Sequence, residues 1–338
     1  MTMSETESIG RIAVIGGGSW ATALAKLLLK NCDRIGWYMR SEEKIEEFRK
    51  LGHNPTYLTD VSFDTDRIDL TADINEAAEN ADALVIALPS PYFLPEISKL
   101  TADISDKYIV SAVKGIVPDR NMIVTDYFEQ QCGVPRDRML VIGGPCHAEE
   151  VALEHLSYLT IGCRDTDNAR LFASRIASDK MKTIISDDVD GIEYAAVLKN
   201  VYAIAAGMVN GMKAGDNFMA MLVSNAIREM RKFVDTISPM PRDIDLSAYL
   251  GDLLVTAYSR FSRNHNFGSM IGKGYSVKVA MMEMSMVAEG YYGTKCIREI
   301  NQRPGLGVDM PILEMVYSVL YQGANARRAM KTLAETFA

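Results

Sequence analysis

The sequence predicts an α/β N-terminal domain built on a parallel sheet, followed by an all-α C-terminal domain. Two observations predict this division. Short apolar runs alternate with helical patterns in the first half, which is typical of βαβ units, and from Ile192 onward the pattern is helical. The chain has 338 residues, more than one hydrophobic core usually serves. We therefore expect two domains, residues 1–190 and residues 191–338.

Six strands are predicted in the first half, each a short apolar run bounded by turn residues or charges. They are Arg11–Ile15, Arg34–Met39, Ala83–Leu88, Tyr108–Val113, Met139–Ile142 and Leu159–Cys163. Helical patterns lie between them, for example at Trp20–Lys30, Glu42–Lys50 and Ile123–Gln131. Because strands alternate with helices, the sheet is expected to be parallel.

The character of the sequence changes near Asp187-Asp-Val-Asp-Gly191, where alanine, methionine and leucine become abundant. Breaks are predicted at residues 238–242, 260–274 and 303–307, which leaves roughly six or seven helices. Many of the 20 methionines lie in this half. Methionine at helical spacing fills irregular gaps in a core, and we interpret these residues in that way.

Composition and charge exclude several classes of protein. The chain is 48% hydrophobic and 24% charged, which is typical of a soluble globular protein. Its net charge of -8 argues against nucleic-acid and membrane-surface partners, which need a basic surface. The five cysteines lack the spacing of metal ligands, so no metal is expected and a reducing compartment fits best. The polar start of the chain and the lack of an evident membrane-spanning run predict a cytoplasmic protein.

A glycine turn follows the first predicted strand and precedes a helix. The stretch Gly16-Gly-Gly-Ser-Trp-Ala21 matches the G-x-G-x-x-G/A pattern of Rossmann-type dinucleotide sites. Gly16 permits the tight turn, Gly18 lets the backbone approach a pyrophosphate, and the amides from Ser19 onward face the phosphate charge. We therefore predict that NAD(H) or NADP(H) binds here.

The end of the second strand bears on the choice of dinucleotide. A site selective for NAD has an acid there, whereas this strand ends Gly36-Trp-Tyr-Met-Arg40. Arg40 can meet the 2′-phosphate of NADP, and it can equally be a solvated surface residue. The preference for NAD or NADP stays open.

Lys199 and Asn200 lie within an apolar stretch, Ile192 to Gly207. Burying an ammonium group without partners is costly, and desolvation lowers a lysine pKa, which suits an acid/base group. The structural alternative is a lysine whose stem lies on the apolar face while its head reaches water. Lys114 follows the strand at Tyr108–Val113, at the carboxyl edge where such sheets bind ligands. It is a candidate for substrate or cofactor contact.

With these features in place, the chain resembles the bacterial NAD(P)-dependent glycerol-3-phosphate dehydrogenases over nearly its whole length. The matching stretches are Gly16–Ala25, Ala112-Val-Lys-Gly115, Gly144-Pro-Cys-His-Ala-Glu-Glu150, Leu198-Lys-Asn200, Gly251-Asp-Leu253, Ser262-Arg-Asn264, Val287-Ala-Glu-Gly290 and Met310-Pro-Ile312. The resemblance implies reversible reduction of dihydroxyacetone phosphate to sn-glycerol 3-phosphate, which feeds glycerophospholipid synthesis. Several motifs in one order across both halves make it specific.

The resemblance also implies roles for individual residues. Lys199 would be the acid/base, with Lys114 and Asp252 completing the catalytic group. The substrate would contact Lys114, Gly144, Lys199, Asn200, Asp252, Ser262, Arg263 and Asn264. The cofactor would contact Ser19, Trp20, Lys114, Ala148, Arg263 and Glu289. Gly16, Gly18 and Arg40 join this set because of the glycine pattern and the end of the second strand.

The chemistry of these residues agrees with such roles. A hydride that reaches a carbonyl carbon leaves an alkoxide, which Lys199 can protonate, and Lys114 nearby would lower the pKa of Lys199 by like-charge repulsion. Asp252 can orient Lys199, accept from a substrate hydroxyl, or simply cap a helix. Arg263 and Asn264 lie in a predicted loop, Ser259–Gly268, rich in groups that can grip phosphate.

The chain departs from the family pattern at two places. Cys146-His147 stands where relatives usually carry a hydroxyl residue and then an aromatic one, and Asn225 stands where many carry arginine. We interpret His147 as a packing replacement. These changes affect the expected substrate geometry, not the expected reaction.

Two other functions compete with this one. A 3-hydroxyacid or ketopantoate-type reductase also combines a nucleotide domain with a helix-borne lysine, but it would recognise a carboxylate, for which the stretch around Arg263 is not typical. A non-catalytic NAD(H) sensor would need neither Lys114 nor Lys199. A homodimer formed through the helical domain is expected, although no stretch of sequence proves it.

Overall fold

The structure is a computed structural model that describes residues 9–284 and 288–337. Its contacts divide the chain into two compact units. The sheet unit comprises Met1–Leu88, Tyr92–Val113 and Val124–Val189. The helical unit comprises Pro89–Pro91, Lys114–Ile123 and Asp190–Ala338. Two short segments of the first half, which include Ser90 and Lys114, therefore belong to the helical unit.

The sheet unit contains one sheet of eight strands in the order β3-β2-β1-β4-β5-β6-β7-β8. The strands are β1 Ile12–Ile15, β2 Ile35–Tyr38, β3 Ile68–Thr71, β4 Ala83–Ile86, β5 Tyr108–Ser111, β6 Met139–Gly143, β7 Ser157–Cys163 and β8 Met181–Ser186. All neighbours pair in parallel except β6 and β7, which are antiparallel. The predicted fold class is confirmed, with this one antiparallel pair as a correction to the all-parallel expectation.

Helices connect the strands of the sheet unit. They are α1 Ser19–Leu28, α2 Glu42–Leu51, α3 Ile74–Glu79, α4 Ser90–Ile97, α5 Val124–Cys132, α6 Ala148–Ala152 and α7 Thr166–Ile176. The first residues of α4 belong to the helical unit by their contacts. Strands β1 and β4 at the centre of the sheet are buried along their whole length, as expected for strands covered on both faces.

The six predicted strands are all present with shifts of one or two residues at their ends, but β3 and β8 were not predicted. These two are the edge strands of the sheet. Strand β3, Ile68-Asp-Leu-Thr71, alternates buried and exposed side chains, and the first residue of β8 is the only fully buried one. Edge strands carry more polar residues than central ones, so their apolar runs are short.

The helical unit contains eight α-helices among the described residues: α8 Val189–Gly211, α9 Asp216–Ile237, α10 Asp252–Tyr258, α11 Arg263–Gly272, α12 Val277–Glu283, α13 Glu289–Asn301, α14 Pro311–Gln322 and α15 Ala326–Ala334. A π-helical turn, Ser247–Gly251, leads directly into α10. Val287, which begins one of the stretches that carry the family resemblance, lies outside the described residues.

The expected break at residues 260–274 is wrong, since α11 occupies most of it. Ser262 caps this helix with its hydroxyl, which accepts from His265 N at 3.2 Å. Gly268 suggested a loop, but its role is packing: a Cβ at that position would overlap the carbonyl oxygen of Ile204 on α8. The glycine therefore lets α8 and α11 approach closely. Because α11 lies where a break was expected, the described part of the helical unit has one helix more than the upper predicted number.

Helix α8 is long and apolar enough to cross a membrane by length and composition. The whole of its most apolar window is buried inside the protein. A helix that is apolar on all sides is typical of a protein core as well as of a membrane span, and the burial favours the first interpretation.

Candidate active site

The glycine turn of the sheet unit runs from the end of β1 into α1. Gly16 has φ +134°, and a Cβ there would lie 2.5 Å from the carbonyl oxygen of Ala87, so the position requires glycine. Gly18 is the N-cap of α1, and a Cβ there would meet no described atom within 4 Å. The turn therefore presents a helix N-terminus to open space, which suits a phosphate group. This geometry fits a dinucleotide.

The other residues predicted to contact the cofactor near this turn differ in exposure. Ser19 is the first residue of α1, and Trp20 beside it is partly buried against the core of the sheet unit. Arg40 follows β2 and is exposed, with its guanidinium carbon 5.4 Å from the ring centroid of Tyr92. The tyrosine ring gives Arg40 a cation–π partner, which favours a defined position over a freely solvated one.

Gly144 and Ala148 follow β6, on the same segment as the two departures from the family pattern. Ala148 begins α6 and is buried, and His147 is the N-cap residue of that helix. The thiol of Cys146 is buried and donates to the carbonyl oxygen of Tyr158 at 3.1 Å. Cys146 is therefore occupied with the neighbouring strand, which supports a packing role.

The helical unit holds a buried ion pair. Lys199 on α8 is only 3% exposed, and its ammonium group pairs with the carboxylate of Asp252, which is 1% exposed. Asp252 is the first residue of α10, directly after the π-helical turn. Such a pair is stable only because each charge compensates the other, since removing either would leave an uncompensated charge in the interior. The alternative in which the head of Lys199 reaches water is thereby excluded.

One carboxylate oxygen of Asp252 remains available. Its Oδ1 pairs with Lys199, while Oδ2 is buried and has no hydrogen-bond partner among the described residues. An unsatisfied buried acceptor is costly and points to a missing donor. A hydroxyl group on a bound molecule would be such a donor.

Lys114 and Asn200 lie together in the helical unit. The side-chain amide of Asn200 donates to the backbone carbonyl oxygen of Lys114 at 2.9 Å. Asn200 follows Lys199 on α8 and is 5% exposed, so it fixes the backbone of Lys114 relative to the helix that carries Lys199. In this structure Asn200 contacts Lys114 and positions it.

Glu289 and Arg263 form a second charged group in the helical unit. Burial raises the pKa of the Glu289 carboxyl, while its hydrogen bond with Ser90 and the charge of Arg263 act in the opposite direction. Glu289 Oε1 accepts from Ser90 N at 3.4 Å, and its Oε2 is buried without a hydrogen-bond partner among the described residues. The guanidinium of Arg263 makes no hydrogen bond or close ion pair within the described ranges, so it can bind an anion.

Ser262 and Asn264, which flank Arg263, have structural partners. Ser262 caps α11, and Asn264 Oδ1 accepts from the backbone N–H of Gly290 at 2.8 Å, at the start of α13. Asn264 thus ties α11 to the helix that carries Glu289. The predicted substrate contacts of these two residues stay predictions, whereas their role in holding the first turns of α11 and α13 is visible.

Sequence reasoning did not identify Glu229. This residue of α9 is 4% exposed, and its two carboxylate oxygens accept from the backbone N–H groups of Ile312 and Leu313 at 2.8 and 3.0 Å. It therefore caps α14 from another helix. Burial raises the pKa of Glu229 to about 7. A lone glutamate on an amphipathic helix carries no sequence signal of such a contact.

Asn225, the other departure from the family pattern, bonds within its own helix. Its side-chain amide donates to the carbonyl oxygen of Met221 at 2.9 Å. Among the described residues, no group of three or more histidine, cysteine, aspartate or glutamate side chains could hold a metal ion.

The candidate groups of the two units differ in kind. The sheet unit offers backbone amides, and the helical unit offers the side chains of Lys114, Lys199, Asp252 and Arg263.

A phosphate-binding glycine turn on a doubly wound sheet, together with a buried lysine on a helical unit, defines the class of dinucleotide-dependent oxidoreductases. Comparison with known proteins narrows this class. Residues 11–169 match the N-terminal family model of NAD-dependent glycerol-3-phosphate dehydrogenase, and residues 188–331 match its C-terminal model. The chain belongs to the NAD-dependent glycerol-3-phosphate dehydrogenase family.

Individual relatives support this assignment. Glycerol-3-phosphate dehydrogenase [NAD(P)+] of Lysinibacillus sphaericus is 33% identical over 326 residues, covering 96% of this chain and 95% of the relative. The crystal structure of glycerol-3-phosphate dehydrogenase from Coxiella burnetii has a TM-score of 0.88 at 26% identity and covers 96% of this chain and 99% of that one. The corresponding yeast enzyme, from Saccharomyces cerevisiae, has a TM-score of 0.82 at 22% identity, covering 96% and 99%, and shows the shared fold.

Proposed function

We propose that this protein catalyses the reversible NAD(P)H-dependent reduction of dihydroxyacetone phosphate to sn-glycerol 3-phosphate and so supplies glycerophospholipid synthesis. The observation that carries the proposal is the buried ion pair between Lys199 and Asp252 in a member of this family. Burying a charged group costs free energy of desolvation. In an enzyme that must protonate an alkoxide, a buried ammonium group can serve as the general acid.

The dinucleotide, when bound at the glycine turn, supplies the hydride. As the carbonyl carbon accepts it, the electrons of the C=O bond move to oxygen, and the ammonium group of Lys199 donates the proton that completes the alcohol. Asp252 stabilises the ammonium form of Lys199 before this transfer and orients it. Its second oxygen, Oδ2, accepts a hydrogen bond from the substrate hydroxyl.

The phosphate of the substrate is bound by Arg263 and Lys114. Arg263 offers a planar guanidinium with no close partner in the described part of the chain, and such a group binds phosphate with two parallel hydrogen bonds. Lys114 adds a positive charge whose backbone is fixed by Asn200. Glu289 accepts a hydrogen bond from Ser90 and interacts electrostatically with Arg263. These two interactions keep the first turn of α13 in place for phosphate binding.

The reaction is tested by initial rates. Purified protein should oxidise NADH and NADPH with dihydroxyacetone phosphate, and little or no rate is expected with ketopantoate or a 3-oxoacid. Faster turnover of the carboxylate substrates would contradict the proposal. Dinucleotide binding without turnover of any phosphorylated ketone would instead support a sensor.

We further propose that the protein acts in the cytoplasm as a homodimer. The cytoplasmic location is inferred from the small soluble substrate. The homodimer is inferred because the helical unit is the expected contact surface. Sedimentation velocity at several protein concentrations measures the oligomeric state. A monomer at all of them would contradict the dimer.

A further inference from the structure

The glycine turn is held from inside by three side chains. The carbonyl oxygens of three successive residues each accept one side-chain hydrogen bond: Gly16 O from Trp37 Nε1 at 2.7 Å, Gly17 O from Asn54 Nδ2 at 3.1 Å, and Gly18 O from Thr22 Oγ1 at 2.9 Å. All three donors are buried, with exposed fractions of 0%, 1% and 0%. None of these side chains is part of the glycine pattern from which the site was predicted.

These bonds determine where the N–H groups of the turn point. In a trans peptide the C=O of one residue and the N–H of the next are antiparallel. Holding the three carbonyl oxygens against these donors therefore turns the N–H groups of Gly17, Gly18 and Ser19 away from the donors. A Cβ at Gly18 would meet no described atom within 4 Å, so there is open space beside the turn. Oriented N–H groups at a helix N-terminus are what a pyrophosphate binds.

Asn54 is the central member of this set. It lies between α2 and β3, far in sequence from the turn, and all its hydrogen-bonding groups are used. Its amide nitrogen donates to Gly17 O and to Thr22 Oγ1 at 2.9 Å, and its oxygen accepts from Thr56 N and Tyr57 N at 2.9 and 3.0 Å. The two backbone N–H donors fix which end of the amide is oxygen, so the nitrogen must face the turn.

We propose that Asn54 is a positioning residue for dinucleotide binding. It fixes the Gly17–Gly18 peptide, and through Thr22 the next one, so that their N–H groups face the pyrophosphate before the dinucleotide arrives. This proposal rests on the proposed function only in that the turn binds NAD(P)H. Asn54 acts through the backbone and does not touch the reacting atoms.

The test replaces Asn54 by leucine, which has the same branched shape, cannot donate or accept a hydrogen bond, and introduces no charge that could itself repel a phosphate. Asn75→Leu is the matched control, because Asn75 also lies in the sheet unit and uses its amide to bond a loop, at Lys99 O and Thr101 N. We expect Asn54→Leu to raise the Kd of NADH about tenfold, as for the loss of one oriented hydrogen-bond set. The control should stay within about twofold of wild type.

Three further measurements separate positioning from a general loss of structure. ADP-ribose, which contains the pyrophosphate, should lose affinity as NADH does, whereas adenosine, which has no phosphate, should not. The KM of dihydroxyacetone phosphate at saturating NADH should be unchanged. Should Asn54→Leu fail to fold, Thr22→Val keeps the side-chain shape but removes the hydroxyl that donates to Gly18 O and accepts from Asn54 Nδ2, and the same loss for ADP-ribose is expected.

The outcomes are distinct. Equal Kd values for NADH in Asn54→Leu and Asn75→Leu, or equal losses for ADP-ribose and adenosine, would overturn the positioning role. Wild-type protein that binds no NADH would overturn the proposed function instead.

Discussion

The sheet unit and the helical unit present functional groups of different kinds. In the sheet unit the predicted cofactor site is a glycine turn whose backbone N–H groups face open space. In the helical unit the site consists of charged side chains, of which Lys199 and Asp252 are buried as a pair. Backbone amides bind an anion without placing a charge in the interior, whereas proton transfer needs an ionisable group and accepts the cost of burying it.

Because the groups differ in kind, the two units should respond differently to substitution. A change in the glycine turn should alter dinucleotide affinity and leave the chemistry intact. A change at the buried pair of Lys199 and Asp252 in the helical unit should alter the chemical step or the stability and leave dinucleotide affinity intact.

Lys199→Met should lower kcat by about 10³-fold or more, because the alkoxide loses its proton donor while the side-chain length is kept. The Kd of NADH should stay near that of the wild type. Steady-state kinetics measures kcat, and a fluorescence titration with NADH measures the Kd. Lys278→Met, an exposed lysine on α12, is the control. If the variant lost NADH binding as fully as turnover, Lys199 would be a structural residue.

Arg263→Ala should raise the KM of dihydroxyacetone phosphate by about 10- to 100-fold, because a charge-assisted bidentate contact is removed. Activity with unphosphorylated dihydroxyacetone, which lacks the phosphate, should be unaffected. Arg260→Ala is the control, since Arg260 lies nearby in the chain but stacks on the ring of Phe261 at 5.2 Å. Equal KM values in the two variants would remove Arg263 from phosphate binding.

Two glycines of the turn should respond differently to alanine. Gly16→Ala should destabilise the protein by about 1–3 kcal/mol, because its φ is in the left-handed region and Ala87 leaves no space. Gly18→Ala should change the free energy of unfolding by less than about 1 kcal/mol, since its φ of -84° suits alanine. Its Cβ would occupy the space before the helix N-terminus, so NADH affinity should fall. Denaturant unfolding and NADH titration of both variants check this; unchanged affinity in Gly18→Ala would place the phosphate elsewhere.

The backbone half of the candidate site is easier to recognise in the sequence than the side-chain half. The pattern of Gly16 and Gly18 encodes a local geometry, so a few neighbouring residues suffice to identify it. The pair of Lys199 and Asp252 joins two helices that are distant in the chain. The apolar surroundings of Lys199 and the family resemblance pointed to these two residues. They left open whether Asp252 orients Lys199, contacts the substrate or caps a helix, and the structure shows the ion pair.

Other features could not be predicted because the same residue type occurs both in loops and at close contacts between distant parts of the chain. Gly268 and the polar residues before it are typical of a loop, yet they form a helix whose glycine lies against Ile204. Asn54 precedes a proline, as turn residues often do, and nothing local shows that its amide reaches Gly17. Long-range contacts of this kind depend on the tertiary fold, which a local pattern does not contain.

The buried carboxyl of Glu229 should make stability depend on pH. Burial raises the folded-state pKa of this carboxyl to about 7, above the ordinary value of 4.5. Between these two values the folded state keeps a proton that the unfolded state has released. Stability should therefore fall as pH rises from about 5 to about 7, by up to about 3 kcal/mol for this group. Glu229→Gln should flatten this dependence. Urea unfolding of both proteins at about pH 5 and about pH 8 measures it, and parallel curves would show that Glu229 does not titrate in this range.

The smallest expected effect concerns Arg40, the one charged side chain of the sheet unit assigned to the cofactor. Because the 2′-phosphate distinguishes NADPH from NADH, Arg40→Ala should raise the Kd of NADPH about tenfold and that of NADH by less than about twofold. Lys50→Ala, which removes an exposed charge at the far end of α2, controls for the change in net charge. Equal losses for both dinucleotides would mean that Arg40, held over the ring of Tyr92, contacts a part of the molecule that both share. The sheet unit would then bind the dinucleotide without a side chain that discriminates between NADH and NADPH at this position.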